Sequence, residues 1–475
     1  MSLTHKALHA FKWSVLGEIA SQAIGPLVFL VIARLLVPED FGVIAAAMVI
    51  ISFSQVFSDA GLAKALIQRQ DRTEESANVV FWINLGAGLI IVATLLIAAP
   101  LIAIFFHDGR IVAVVRLLSL QILLTAFSSV PTALLQKEMN FKQLFWVRLV
   151  ATGAPGLASI PLAMYGMGYW ALVAGTLFGQ VVQSIVLWNR SHWRPYWGLD
   201  RALAKELVAF GKWAMLSGLL GWFYVWMDAI VVGHYLGPNE MGLYRTGNTF
   251  VTMVFGIILS PMLPVLYSAF SKVQLDQNKV RSTLIHVVKG IALLVFPVAA
   301  LLVGLREQIE GYVFGGGWSG VGTLIAILAI SHAFAWLVGA NGEAYRAVGK
   351  PQMESLAMII SVAVYFIGYI VSVQFSLVVF ALTRVGLVFF GLLSQIVISK
   401  YLFSIQFMQW VKVAYKPLLF SVALLAGQVI SQPYLSDGLL SAVGQVVCCL
   451  ILYFALVAIF DREYYLLCKS KVKIN

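Results

Sequence analysis

The sequence predicts an all-α integral membrane protein of about fourteen transmembrane helices, arranged as two six-helix lobes in parallel repeat plus two C-terminal helices. Three observations predict it. Hydrophobic residues make up 61% of the 475 residues and charged residues only 11%, against the roughly 25% charge of a soluble domain. The apolar stretches recur at lengths that cross a bilayer, which takes about 20 residues of helix. A helix-and-turn pattern also returns 200 positions later, as an internal repeat in a two-lobed transporter does. Lys12-Trp13 opens an apolar run that closes on Leu36-Val37-Pro38-Glu39-Asp40-Phe41-Gly42, and Lys212-Trp213 opens another that closes on Leu236-Gly237-Pro238-Asn239-Glu240-Met241-Gly242. Pro and Gly matches carry the most weight, because apolar helices match each other by chance.

Taken in order, the spans are expected near 13–35, 42–60, 79–105, 111–134, 147–165, 168–189, 213–235, 242–266, 285–305, 320–342, 355–373, 376–399, 414–432 and 439–460. The first twelve form the two copies, and the last two have no counterpart. The domain division expected is 1–200 for the first lobe, 201–412 for the second, and 413–475 for the final pair and tail. A polar, basic connector near Asn189 to Lys212 joins the lobes. In the second copy the register grows by nine residues, which fits the longer loop Arg306 to Gly320 against the short His107-Asp108-Gly109-Arg110 turn. Short and polar, Met1 to Lys12 has no cleavage-type sequence, so the first helix is expected to remain as an anchor.

Charge sets the expected orientation. With the N-terminus inside, 26 of the 32 basic residues fall in cytoplasmic segments, and no lysine falls outside. The six others are Arg34, Arg110, Arg116, Arg245, Arg306 and Arg384. Positive residues favour the cytoplasmic side, so both termini are expected inside. The net charge of +11 is then topology and attraction for anionic lipid headgroups, not a nucleic-acid surface. Trp13, Trp146, Trp170, Trp188, Trp213 and Trp410 sit at span ends, where amphipathic rings favour the interface. Trp222, Trp226 and Trp336 lie deeper, as packing residues or as platforms for a sugar ring.

Several spans carry Gly and Pro. Pro261 and Pro264 in one span predict a bend, and Gly175-Thr176-Leu177-Phe178-Gly179 has the GxxxG spacing of close helix packing. Gly315-Gly316-Gly317 beside Trp318 reads as a flexible loop. Cys448, Cys449 and Cys468 have neither metal-site nor disulfide spacing. There is no phosphate-binding loop ending in Gly-Lys-Ser/Thr, no His-Glu-x-x-His and no triad spacing. No cofactor and no metal are expected, and an enzyme is not.

What remains is a small set of ionisable groups at membrane depth, which are costly there and face a cavity or one another. They are Glu18, Asp59, Arg116, Asp228, Arg245, His332, Glu343 and Arg384, with Arg34 near the end of the first span. A guanidinium is a planar fork that pairs with phosphate oxygens through two bonds. Arg245, Arg384, Arg116 and Arg34 are therefore candidates to hold a diphosphate. An ion pair between Asp228 and Arg245 is the structural alternative, and Arg116 and Arg34 also suit snorkelling outward. Glu18 and Asp228 are candidates for a coupling proton or sodium ion; His332 suits packing.

Leu35-Leu36-Val37-Pro38-Glu39-Asp40-Phe41-Gly42, followed by Phe57-Ser58-Asp59-Ala60-Gly61-Leu62-Ala63-Lys64-Ala65-Leu66-Ile67-Gln68, resembles Wzx-type polysaccharide exporters of the multidrug/oligosaccharidyl-lipid/polysaccharide (MOP, MATE-like) superfamily, in the colanic-acid and teichuronic-acid branch. Phe314-Gly315-Gly316-Gly317-Trp318 and Gly349-Lys350-Pro351 fit more loosely. The resemblance covers nearly the whole chain. It implies two lobes around a positively charged cavity and alternating access. It also implies movement of a polyprenyl-diphosphate-linked oligosaccharide across the bacterial cytoplasmic membrane, for surface or exopolysaccharide biosynthesis. The partners implied are that lipid-linked oligosaccharide, membrane lipids and polysaccharide polymerase machinery, without nucleic acid. The final two helices would flank the lipid tail. A cation-coupled drug exporter of the same superfamily is the alternative; a membrane polymerase would need a large catalytic loop that this chain lacks.

Overall fold

A helix stands at each of the fourteen expected positions. The computed structural model describes residues 3–59, 61–69, 71–198, 200–431 and 438–460, with side chains described for all but a few of these. Expectations resting on Cys468 and the basic tail, and on the side chains of Lys12, Glu18, Lys212 and Trp213, lie outside the described residues. Thirteen described helices are long and apolar enough to cross a membrane; in the first helix the apolar stretch is the shorter Ala20–Leu35.

The chain divides into two compact units, Met1–Thr246 and Gly247–Asn475. The first contains α1 (Leu3–Leu35), α2 (Pro38–Asp59), a short α3 (Leu62–Gln68), α4 (Thr73–Phe106), α5 (Arg110–Lys137), α6 (Phe141–Met164), α7 (Tyr169–Arg190), α8 (Arg201–Leu236) and the start of α9 (Pro238–Leu259). The second continues with α10 (Leu263–Val273), α11 (Gln277–Gly304), α12 (Arg306–Gln308), α13 (Val321–Leu337), α14 (Ala340–Ala347), α15 (Gln352–Ser372), α16 (Leu377–Phe403), α17 (Phe407–Ser431) and α18 (Leu439–Phe460).

Three features depart from the simple span list, each for a local reason. The lobe connector is largely helical. Asp200 accepts from the Ala202 and Leu203 amides at 3.0 and 3.1 Å, an N-cap that starts α8 three turns early. Leu203 and Leu207, one helical turn apart, bury against Leu62, Leu66, Ala77, Val80 and Val130. Those capping amides, with the Arg72 guanidinium, hold the Asp200 carboxyl below its ordinary range. Second, the expected bend at Pro261 is a break: α9 ends at Leu259 and a 3₁₀ turn over Ser260–Met262 leads into α10, because proline supplies no amide for the helical ladder. Third, the glycine loop Gly315-Gly316-Gly317 is an exposed turn between packed flanks. A π-turn over Ile309–Phe314 follows α12, Trp318 is 1% exposed, and its ring lies 5.4 Å from that of Phe314. Glu310 accepts from the Gly320 and Gly322 amides at 3.1 and 2.8 Å, closing the start of α13.

Close packing within the first unit is carried by the GxxxG pair. On Gly179 a Cβ would stand 2.5 Å from Pro155 Cγ, and on Gly175 it would stand 2.7 Å from Ser159 Cβ. α7 therefore lies against α6 nearly backbone to backbone, as small residues permit in a bilayer. Gly179→Val is expected to destabilise the protein by about 1–3 kcal/mol, the usual cost of overpacking, read as a lower melting temperature in detergent. α17 and α18 pack on α11 through Leu293, Ala300, Leu424, Cys449 and Tyr453, whose hydroxyl donates to the Leu293 carbonyl at 2.9 Å.

Candidate functional site

Both ends of the first unit are tied by polar contacts, and the two repeat motifs meet at one of them. Pro38 and Pro238 each begin a helix, where proline's missing amide costs nothing. A Cβ on Gly42 would overlap the Pro238 carbonyl oxygen and come within 2.5 Å of its carbon; a Cβ on Gly242 would do the same to Pro38. The contact is reciprocal, as a local two-fold axis requires. Around it, Glu39 pairs with Arg110 at 2.5 Å and Arg110 with Asp108 at 2.7 Å, while Asp40 accepts from the Tyr169 amide at 2.9 Å. One motif thus fastens α2 to the starts of α5, α7 and α9. At the opposite end Arg69 pairs with Glu206 at 2.7 Å, Arg72 with Asp200 at 2.6 Å, and Lys137 donates to the Arg69 carbonyl and, at 2.8 Å, to the Thr73 hydroxyl. Basic connectors gather at this end.

Between the ends, α2, α4, α5 and α7, with Ala63 of α3, line an open cavity of about 250 Å³. Eleven of its fourteen lining residues carry polar side chains and the other three are Ala63, Ala126 and Ala133, while most of the surface it exposes is apolar carbon. Gln55, Ser58 and Asp59 come from α2 and Asn84 from α4; Thr125, Ser128, Ser129, Thr132 and Gln136 come from α5, and Gln180 and Gln183 from α7. The α5 residues recur at helical spacing, so one face of that helix turns its hydroxyls to the cavity. Asn84 is 1% exposed and its amide nitrogen donates to Ser129 at 2.9 Å, while its carbonyl oxygen has no partner. Ser128 and Ser184 share a hydrogen bond of 2.8 Å. Among the described residues, no lysine or arginine lines the wall. Of these residues, only Asp59 is an ionisable group that stands out in the sequence. The amides and hydroxyls do not, because each is tolerable alone in a helix. Their signal is periodicity: Thr125, Ser128, Ser129, Thr132 and Gln136 on one face of an apolar helix.

The ionisable candidates are dispersed. Asp228 is 5% exposed on α8; its carboxylate accepts from the Tyr244 hydroxyl at 2.8 Å and from the Ala229 amide at 2.7 Å. Half-buried on α9, Arg245 stacks its guanidinium 4.0 Å from the Trp226 ring centre and donates to the Val225 carbonyl at 3.4 Å. Arg116 is exposed and donates to the Leu96 carbonyl at 3.2 Å, and Arg34 is exposed near the end of α1. In the second unit Arg384 is half-buried on α16. There His332 contacts Thr252 at 3.2 Å and Glu343 pairs with Arg346 at 2.7 Å. Glu18 belongs to α1, and its side chain is not among those described. Trp222 is a packing residue: it is 9% exposed, its indole donates to Ser52 at 2.9 Å, and its ring lies 4.7 Å from that of Phe53.

A family profile described as polysaccharide biosynthesis protein matches residues 31–323. The succinoglycan biosynthesis transport protein ExoT of Rhizobium meliloti is 27% identical over 321 residues, covering 67% of this chain and 65% of that protein. The teichuronic acid biosynthesis protein TuaB of Bacillus subtilis is 24% identical, covering 74% of this chain and 73% of that one. The lipopolysaccharide biosynthesis protein WzxC of Escherichia coli is 24% identical, covering 70% and 68%. These alignments therefore span about two thirds to three quarters of the relatives' lengths. Among solved structures, the lipid II flippase MurJ in an inward closed conformation superposes with a TM-score of 0.79 at 15% identity, over 96% of this chain and 100% of that one. An inward-facing multidrug resistance MATE family transporter of the MOP superfamily superposes with a TM-score of 0.60 at 17% identity, over 86% and 96%. At these identities the superpositions establish the fold.

Proposed function

Since the chain belongs to the polysaccharide biosynthesis protein family, we propose that it moves a polyprenyl-diphosphate-linked oligosaccharide across the bacterial cytoplasmic membrane for assembly of a surface or secreted polysaccharide. The observation that carries this is the family match over most of the membrane bundle, on a chain whose named relatives serve polysaccharide biosynthesis or transport. The lipid-linked headgroup is the part that needs help. A diphosphate and a row of hydroxyls cannot enter hydrocarbon without partners, whereas the prenyl chain can stay in lipid. A cavity lined by amides and hydroxyls within the bundle supplies such partners to the hydroxyls.

In this reading the chain is a transporter and not an enzyme. It works by alternating access between lobes 1–200 and 201–412, with 413–475 as an addition beside the lipid tail. It has fourteen spans with both termini inside, and it hands its cargo to polymerase machinery. Arg245 and Arg384, half-buried, offset the diphosphate, with Arg116 and Arg34 acting nearer the lipid headgroups. Asp228 and Glu18 serve ion coupling. A drug exporter of the same superfamily would share the fold, but the family match and the polysaccharide relatives speak for the oligosaccharide.

Deleting the gene is the test. Loss of the surface polysaccharide with build-up of lipid-linked repeat units is expected. Normal polysaccharide with no such build-up overturns the reading.

A further inference from the structure

The cavity between α2, α4, α5 and α7 has a chemistry of its own. A diphosphate calls for cations, and among the described residues no lysine or arginine lines this wall. Lys64, on α3, acts on Asp59 from outside the lining. What the wall offers is amides and hydroxyls, groups that both donate and accept. Gln55, Gln180 and Gln183 line the cavity with their side-chain amides, and the Asn84 carbonyl oxygen is buried and unpartnered. A buried carbonyl oxygen left unpaired is costly, and a donor that the chain itself does not supply would satisfy it. A sugar ring carries the matching set: several hydroxyls, each donor and acceptor, spaced around a compact body. Adjacent hydroxyls can both donate to one carboxylate, and among the described residues Asp59 is the single carboxylate on the wall. At about 250 Å³ the cavity suits one ring, not a whole glycan.

The same carboxylate sets a limit. An acidic sugar would bring a second carboxylate beside Asp59, where the nearby cation, Lys64, stands outside the lining and already faces Asp59, and like charges in a medium of low dielectric repel strongly.

We propose that this cavity is the subsite that receives an uncharged sugar ring of the lipid-linked oligosaccharide and discriminates against acidic sugars. The proposal rests on the function proposed above and adds which sugars pass. Asp59 and the glutamines are binding residues in it, while the diphosphate is held elsewhere.

The test uses the full chain in proteoliposomes and two probes, a short polyprenyl diphosphate carrying either one hexose or the corresponding hexuronate. The probes differ only in a carboxylate. Transbilayer movement is read by exposure of the sugar to impermeant periodate. The unsubstituted protein is expected to move the hexose probe at least tenfold faster than the hexuronate probe, and Asp59→Asn to narrow that ratio to about threefold. Gln55→Leu and Gln183→Leu are each expected to slow the hexose probe tenfold or more. Should either leucine variant unfold, Gln183→Glu keeps the size and polarity and is expected to widen the discrimination. Equal rates for both probes, or leucine variants as fast as the unsubstituted protein, would overturn the subsite while leaving the flippase reading intact. If the unsubstituted protein moves neither probe, the flippase reading fails and the subsite fails with it.

Discussion

Replacing Gly42 by alanine is expected to abolish polysaccharide export and to lower the melting temperature in detergent, and Gly242→Ala is expected to do the same. The reason is the reciprocal contact between the two repeat motifs. A methyl group at either glycine lands on the carbonyl group of the proline that opens the other copy's helix. Backbone cannot rotate away as a side chain can, so the two segments must separate. Overpacking of this kind costs about 1–3 kcal/mol and occasionally more. One separation relieves both clashes, so the two substitutions should not add: the double variant is expected to be little worse than either single one. Sites that share a partner depart from additivity in this way. Gly86→Ala is the control. It lies in α4 with nothing within 4 Å of its added Cβ, and alanine is the better helix former by up to about 1 kcal/mol, so stability should hold or rise. Full export from the Gly42→Ala protein would show that this end does not need to close tightly.

That contact also marks how far the sequence could be read. The repeat was legible as two matched strings, and so were the spans, since apolar length and helix-ending Pro and Gly leave little choice in a bilayer. What the strings could not reveal is that Pro38 meets Gly242 and Pro238 meets Gly42. A repeat says that two pieces are alike, not that they touch. The early start of α8 was hidden for a related reason. Arg201 to Lys212 is charged enough to pass for a connector, yet Leu203 and Leu207 share one face and find a buried partner surface only in the folded unit. The cavity was hardest to see. Ionisable groups in a span draw the eye because each is costly there, but Arg116 and Arg34 turned out exposed. The polar wall is made of Gln, Asn, Ser and Thr, whose individual costs are small and whose convergence from four helices is a tertiary fact.

Arg245 is where the charge reading meets its sharpest measurement. Arg245→Ala is expected to cut export at least tenfold while leaving the melting temperature nearly unchanged. Its stack on Trp226, at 4.0 Å, contributes about 0.5–1 kcal/mol if the pair is partly exposed, too little to hold the fold. A role in offsetting diphosphate charge would be worth far more, because an uncompensated anion at membrane depth is strongly disfavoured. Arg245→Lys separates charge from shape. The ammonium keeps the positive charge but loses the planar two-bond fork, so it should recover part of the export and not all. The competing account makes Arg245 a structural partner of Asp228. Asp228 already accepts from the Tyr244 hydroxyl and the Ala229 amide, so its carboxylate keeps two hydrogen bonds when the arginine is removed. On that account Arg245→Ala would destabilise the protein, Asp228→Asn would restore its stability, and the lysine variant would be fully active. On the diphosphate account Asp228→Asn restores nothing, and raising the concentration of lipid-linked substrate partly rescues Arg245→Lys, because what the lysine protein lacks is affinity for the phosphates.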